Sequence, residues 1–196
     1  MKGKPKRKKK GPAVVGRQLT PDEYLEYWKA RKVWTHLEYP KHQERLRWCA
    51  EACEGERLVD VGCMFGHSTS IMAGFRKADW LGVDFSLEAV QKAWELFRPA
   101  GIAFAYIPRV RDLWELGKFD SVVCSEVIEH VPDDLGLVEA LCSIAERKVV
   151  ITTPAIDAGD PGHVRLYTEE SLKALLAGFR ASVERRGDFF FVQVSP

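Results

Sequence analysis

From Arg57 to the C-terminus, short apolar runs alternate with segments whose apolar residues recur every three or four positions. The runs "RLVDVGC", "WLGVDF", "IAFAYIP", "FDSVVCSEV", "KVVITTPA", "ASVERRG" and "FFFVQVS" have strand length. Helix candidates begin near Ser68, Leu87, Asp134 and Glu169. Strands that are apolar almost throughout are buried on both faces, and helices between them build a parallel sheet. The last two runs are joined only by Gly187-Asp188, a tight-hairpin signal, so one of them runs against the rest. The pattern predicts an α/β, Rossmann-like, doubly wound sheet of seven strands, mostly parallel, with the last strand antiparallel.

Two helices precede this body. "TPDEYLEYWKARKVW" opens with Thr20, Pro21 and Glu23, a capping-box pattern with proline at the first helical position. Further on, Leu46, Cys49, Ala50 and Cys53 fall on one helical face, and Gly55 ends it. The expected organisation is a basic disordered tail and linker over 1–19, a helical lid over 20–54 and the main domain over 55–196. Tyr24, Tyr27, Trp28 and Trp34 are expected to pack the lid onto the body. His36 and His42 are expected at its surface, and His67 at the solvated start of a helix.

The length of 196 residues suits one domain with a full core. No apolar run approaches a membrane span, and the basic N-terminus leads into no apolar signal segment, so a cytoplasmic protein without a membrane partner is expected. Five cysteines in such a chain are expected as free thiols, and Cys49 and Cys53 lack a second pair to complete a zinc set. Residues 1–11 hold seven basic residues and no acid, leaving 22 basic against 28 acidic residues in the remainder, a net −6. Such a block either attracts phosphates, as arms of nucleic-acid proteins do, or simply solubilises the chain. The acidic body argues against a broad nucleic-acid track.

In an open parallel sheet, ligands bind beyond the carboxyl ends of the strands. The first strand ends at Gly62, and Gly62 and Gly66 give the following turn its freedom. About twenty residues later the next strand ends at Asp84, where a carboxylate can take both ribose hydroxyls. By themselves these features fit a nicotinamide, flavin or S-adenosylmethionine nucleotide equally. In the order and spacing of "LVDVGCMFGHST", "GVDFSLEAV", "FDSVVCSEVIEHVPDD", "VVITTPA" and "HVRLYTEESLKALL", the chain resembles the class I S-adenosylmethionine-dependent methyltransferases. The likeness is to the broad subgroup that includes quinone-biosynthesis O-methyltransferases, and it runs from Arg57 to the C-terminus. That resemblance implies the strand order 3-2-1-4-5-7-6. It implies that Asp60, Gly62, Cys63, Met64 and Gly66 wrap the methionine part of the cofactor, with Asp60 on its ammonium directly or through water. Asp84 would hold the ribose and Phe85 would lie on the adenine, with Val110 and Ser125 completing the site. Two positions depart from the family: Met64 replaces a glycine, and Arg109 stands where an acid usually takes the adenine amine, with Asp112 three residues on.

Methyl transfer from a sulfonium needs an aligned, desolvated and deprotonated nucleophile. In "CSEVIEHVPDD", Glu126, Glu129 and His130 share one face if the segment is helical, and "DAGDPGHVRLYT" brings His163 to the same sheet edge. His130, His163 and Glu126 are therefore the candidate catalytic groups. Glu126, Glu129, His130 and His163 together are a candidate divalent-cation set, able to gather a vicinal diol or catechol. A similar glutamate-x-x-glutamate-histidine run with a distant histidine holds a metal in methyltransferases of the terminal ribose of small RNAs. The expected function is methyl transfer to an oxygen or nitrogen of a small molecule. The alternatives are an RNA methyltransferase guided by residues 1–11, and a non-catalytic cofactor-binding protein.

Overall fold

The computed structural model describes residues 12–31 and 33–196; the basic run 1–11 and any nucleic-acid contact through it lie outside the described residues. The chain order is β1 (Ala13–Val14), α1 (Pro21–Arg31), α2 (Pro40–Ala52), β2 (Arg57–Val61), α3 (His67–Phe75), β3 (Asp79–Asp84), α4 (Leu87–Phe97) and β4 (Ala103–Tyr106). There follow β5 (Phe119–Ser125), α5 (Asp134–Ile144), β6 (Ala145–Pro154), β7 (Arg165–Leu166), α6 (Glu169–Leu175), β8 (Arg180–Arg186) and β9 (Phe189–Ser195). The seven long strands form one sheet in the order β4-β3-β2-β5-β6-β9-β8. Counted among themselves, that order is 3-2-1-4-5-7-6. The strands β2 to β6 pair in parallel, and β9 runs antiparallel to both β6 and β8. All seven predicted strands exist, and the Gly187-Asp188 hairpin supplies the reversal, with Gly187 at φ +56°.

Local chemistry explains the element boundaries. Thr20 and Glu23 form the predicted reciprocal cap on α1, at 3.2 and 2.9 Å. Ser86 caps α4 by accepting from the Ala89 amide, and Asp133 caps α5 by accepting from Gly136. One face of the sheet packs against α5 and α6, around Leu137, Leu141, Leu172, Val122 and Val149. The other packs against α2, α3 and α4, around Leu46, Met72, Val90, Val123 and Val150.

Two expectations change here. Part of the expected tail and linker is tied to the body: Ala13 and Val14 pair antiparallel with Leu166 and Arg165, and Arg17 grips Glu23 at 2.8 Å. The segment 20–54 does not act as one cover either. Leu46, Cys49 and Ala50 of α2 are fully buried against the sheet, making α2 a core helix. By contrast α1 is anchored mainly through Leu25, which packs with Phe65 and Ala89 in a small separate cluster. The two helices differ because α2 buries three apolar residues on one stripe, whereas the inward face of α1 is largely aromatic and polar-tipped.

Candidate active site

A cavity of about 430 Å³ opens at the carboxyl ends of β2 to β5. Its floor is the turn after β2. Gly62 sits at φ +85°, and a Cβ there would lie 2.3 Å from Val127 Cγ2, so only glycine fits. The Gly62 and Cys63 amides both donate to the Val83 carbonyl, at 2.8 and 3.0 Å, which sews the turn to β3. Met64 adopts φ +49°, a conformation that favours glycine and costs another residue about 1–2 kcal/mol. Its amide donates to Asp84 Oδ2 at 2.8 Å, while Ser86 donates to Oδ1 at 2.9 Å. The departure at Met64 therefore leaves the backbone course that glycine would follow intact. Burial raises the Asp84 pKa above the usual carboxylate range.

Most expected cofactor residues meet in this cavity: Gly62, Cys63, Met64, Asp84, Phe85, Val110 and Ser125 all line it. Asp60 and Gly66 do not. Asp60 is 1 % exposed and accepts from Thr69 and Ser68, at 2.6 and 3.3 Å, tying β2 to the start of α3. Burial lifts its pKa to about 6. Gly66 is left-handed at φ +79°, and a Cβ there would strike Phe104 of β4 at 2.7 Å, so its need is close packing of the turn on the sheet. Arg109 lines the cavity but spends its guanidinium on Asp112, at 2.8 and 3.0 Å. The Cys63 thiol is buried and pushed well above its ordinary pKa, so it is no nucleophile.

Beyond β5 the expected shared face does not form. The chain turns at Glu126, which is left-handed at φ +60°, and only a three-residue 3-10 turn, Ile128–His130, follows. Glu126 faces Arg45 instead, at 3.0 Å. Glu129, His130 and His163 do converge, with candidate ligand atoms all within 4.8 Å of one another. Glu129 is 1 % exposed; its Oε2 accepts from Thr153 at 3.0 Å, while Oε1 has no hydrogen bond and lies 4.0 and 3.9 Å from the two imidazoles. Burial raises the Glu129 pKa strongly, with Glu126 adding to it. Burial, reinforced by His163, lowers that of His130 to about 4. The His130 Nε2 lies 3.2 Å from the Tyr24 hydroxyl of α1.

Sequence reasoning missed Arg45. It is 3 % exposed, lines the cavity, and stacks its guanidinium 5.0 Å from the Phe189 ring. Its Nε and Nη1 lack hydrogen bonds, the 3.0 Å approach to Glu126 being out of line for one. The available signal was its spacing, four residues before Cys49 on the buried side of α2. Tyr24 and Trp28, expected to pack the lid onto the body, also line the cavity. His36 lines it too, and His42 is half-buried against His36 and Phe189 rather than at the surface. His67 lines the cavity with its ring edge-on to Phe97.

Residues 27–181 match the family described as "Methyltransferase domain", and the chain belongs to that family. Among curated proteins it is similar to the ubiquinone biosynthesis O-methyltransferase of Methylococcus capsulatus, 37% identical over 95 residues. That alignment covers 47% of this chain and 40% of the relative. The protein of the same description from Acinetobacter baylyi is 36% identical over 124 residues, covering 57% and 51%. The chain thus spans about half, or less, of the curated relatives it matches. Among solved structures, magnesium protoporphyrin IX methyltransferase from Synechocystis with bound SAH superposes with a TM-score of 0.65 at 18% identity. That superposition covers 89% of this chain and 98% of the other. The CurJ carbon methyltransferase superposes with a TM-score of 0.71 at 12% identity, covering 90% and 61%. These structural likenesses establish the fold.

Proposed function

We propose that this chain transfers a methyl group from S-adenosylmethionine to an oxygen of a small ring-bearing molecule. The observation that carries the reading is the single cavity joining the Gly62 turn, Asp84 and the Arg45–Glu126 pair. Neighbouring strands lie about 4.8 Å apart, so Asp84 after β3 and Glu126 after β5 stand about 10 Å apart along the sheet edge, with the Gly62 turn between them. That span matches a nucleoside carrying an amino-acid tail. At the β3 end, Asp84 keeps lone pairs free beyond its two amide bonds and accepts from ribose hydroxyls, while Phe85 and Val110 flank the base. At the β5 end, Arg45 and Glu126 offer a buried cation and a partly buried anion that are poorly aligned with each other. A zwitterionic tail complements both, its carboxylate on Arg45 and its ammonium on Glu126. Bound there, the cofactor supplies an electrophilic sulfonium methyl.

The donor set of Glu129, His130 and His163 suits a divalent cation, because two imidazoles converge on an unpaired buried carboxylate oxygen. Such an ion would lower the pKa of a coordinated hydroxyl. It would take the His130 Nε2 lone pair, displacing the Tyr24 hydroxyl. With no ion bound, a neutral His130 is the group placed to receive the acceptor's proton. In this reading α1 serves as the lid. An oxygen acceptor also agrees with the curated relatives, which are described as O-methyltransferases of ubiquinone biosynthesis. No helix among the described residues is long and apolar enough to cross a membrane, and all five cysteines are free. We place the protein in the cytoplasm on the strength of those reduced thiols.

Calorimetry tests the reading: S-adenosylmethionine and S-adenosylhomocysteine should bind and NAD should not. Binding of NAD alone would overturn it. With a catechol as acceptor, EDTA should abolish transfer and magnesium restore it; full activity in the chelator would remove the ion and leave His130 as base.

A further inference from the structure

Buried polar atoms without partners call for an explanation, and an unfilled ligand position is one. Around this cavity Trp28, Arg45 and Glu126 carry such atoms, and Glu129 lies behind it. The proposed function uses three of them: Arg45 and Glu126 for the amino-acid tail, and Glu129 for the cation. Trp28 remains. Its indole Nε1 is buried and makes no hydrogen bond, although the residue lines the cavity. The N–H lies near the Tyr24 hydroxyl but outside hydrogen-bond geometry with it.

The ring that carries this donor is held by its neighbours. Trp28 meets Tyr24 edge-on at 5.8 Å and lies tilted against His36 at 5.6 Å, and it packs beside the Leu25–Phe65–Ala89 cluster with Met64. It stands on a helix, one turn after Tyr24, whose hydroxyl touches His130. Trp28 therefore lies on the acceptor side of the cavity, on the element that covers it. An indole N–H only donates, so its partner must be an acceptor atom.

We propose that Trp28 is a specificity-determining residue, donating its Nε1–H to an oxygen substituent on the acceptor ring other than the oxygen that is methylated. The assignment rests on the methyltransferase reading above. An acceptor that lacks the oxygen leaves the N–H buried and unpaired, so discrimination comes from rejecting the wrong ring as much as from binding the right one.

Two neutral probes of similar shape test this: 3,4-dihydroxyacetophenone, which carries a ring carbonyl, and 4-ethylcatechol, which does not. Each is titrated calorimetrically, with magnesium present, into the full chain saturated with S-adenosylhomocysteine. The wild type should bind the ketone about tenfold more tightly. Trp28→Phe should bring the two affinities together while leaving the S-adenosylhomocysteine affinity unchanged. Trp28→His, which keeps a ring N–H, should recover part of the preference. The wild-type comparison stands even where a variant folds poorly. Equal wild-type affinities, the same preference in Trp28→Phe, or no binding of either catechol to the nucleoside complex would each overturn the assignment. Failure of S-adenosylhomocysteine itself to bind would instead bring down the methyltransferase reading, and this assignment with it.

Discussion

Substituting alanine for Gly62 perturbs the cofactor turn at its tightest point, and the structure sets the size of the effect. The backbone stays at φ +85°, which costs a residue with a Cβ about 1–2 kcal/mol. The new methyl group would stand 2.3 Å from Val127 Cγ2 and 3.3 Å from Cγ1, too close for either to remain in place. Forcing such a neighbour aside in a packed region costs about 1–3 kcal/mol. Together these give about 2–5 kcal/mol, a large share of the roughly 5–15 kcal/mol that holds a domain folded. The two contributions separate in a Val127→Ala background, where the clash is gone and only the backbone cost persists. Gly62→Ala should then cost only about 1–2 kcal/mol, the backbone share. Urea denaturation followed by tryptophan fluorescence reads these values as midpoint shifts at constant slope. S-adenosylhomocysteine affinity should fall in parallel, since Gly62 and Val127 both line the cavity. An unchanged midpoint for Gly62→Ala would refute the argument. An equal cost in both backgrounds would refute the clash and leave only the backbone cost.

Arg45→Met strands the Glu126 carboxylate beside an apolar chain. Breaking a buried pair typically costs about 3–5 kcal/mol, and Glu126 retains enough exposure to place this near the lower figure. Arg45→Met with Glu126→Gln should be more stable than Arg45→Met alone in denaturation, yet both should bind S-adenosylhomocysteine poorly; a double variant less stable than the single would contradict this. Asp60 gives a pH signature. Its pKa rises from an ordinary 3.8 to about 6 on folding, so the folded chain holds the proton more tightly and stability is lost as pH climbs through that window. Relative to Asp60→Asn, the wild type should lose about 3 kcal/mol between pH 3.5 and 7; a flat difference would sink the assignment. His42 works with the opposite sign. Burial lowers its pKa to about 3, so its contribution is complete above pH 6.5 and declines as pH falls, and the His42→Leu variant should show less acid sensitivity in thermal melts.

The periodicity of apolar residues carried the architecture of this chain. Continuous runs such as "KVVITTPA" can be buried only in the middle of a sheet, and Gly187-Asp188 permits only a reversal, so strand number and the antiparallel end follow from local chemistry. The cofactor turn was equally legible, because glycine at Gly62 and an acid at the tip of the next strand answer to backbone geometry within about twenty residues. Pairings between distant segments were not. A helical turn after β5 would have joined Glu126 to Glu129 and His130; a left-handed residue at Glu126 sent that carboxylate to Arg45 instead. Arg45 shares a helical face with Cys49, but only the packing of α2 against the sheet buries its charge and gives it Glu126 as a partner. The same holds for Tyr24 and Trp28, which belong to the cavity because Leu25 docks α1 on Phe65. Local sequence determines which elements form and where the backbone turns sharply, whereas the burial and partner of a charge depend on segments far away along the chain. Those the tertiary structure alone decided.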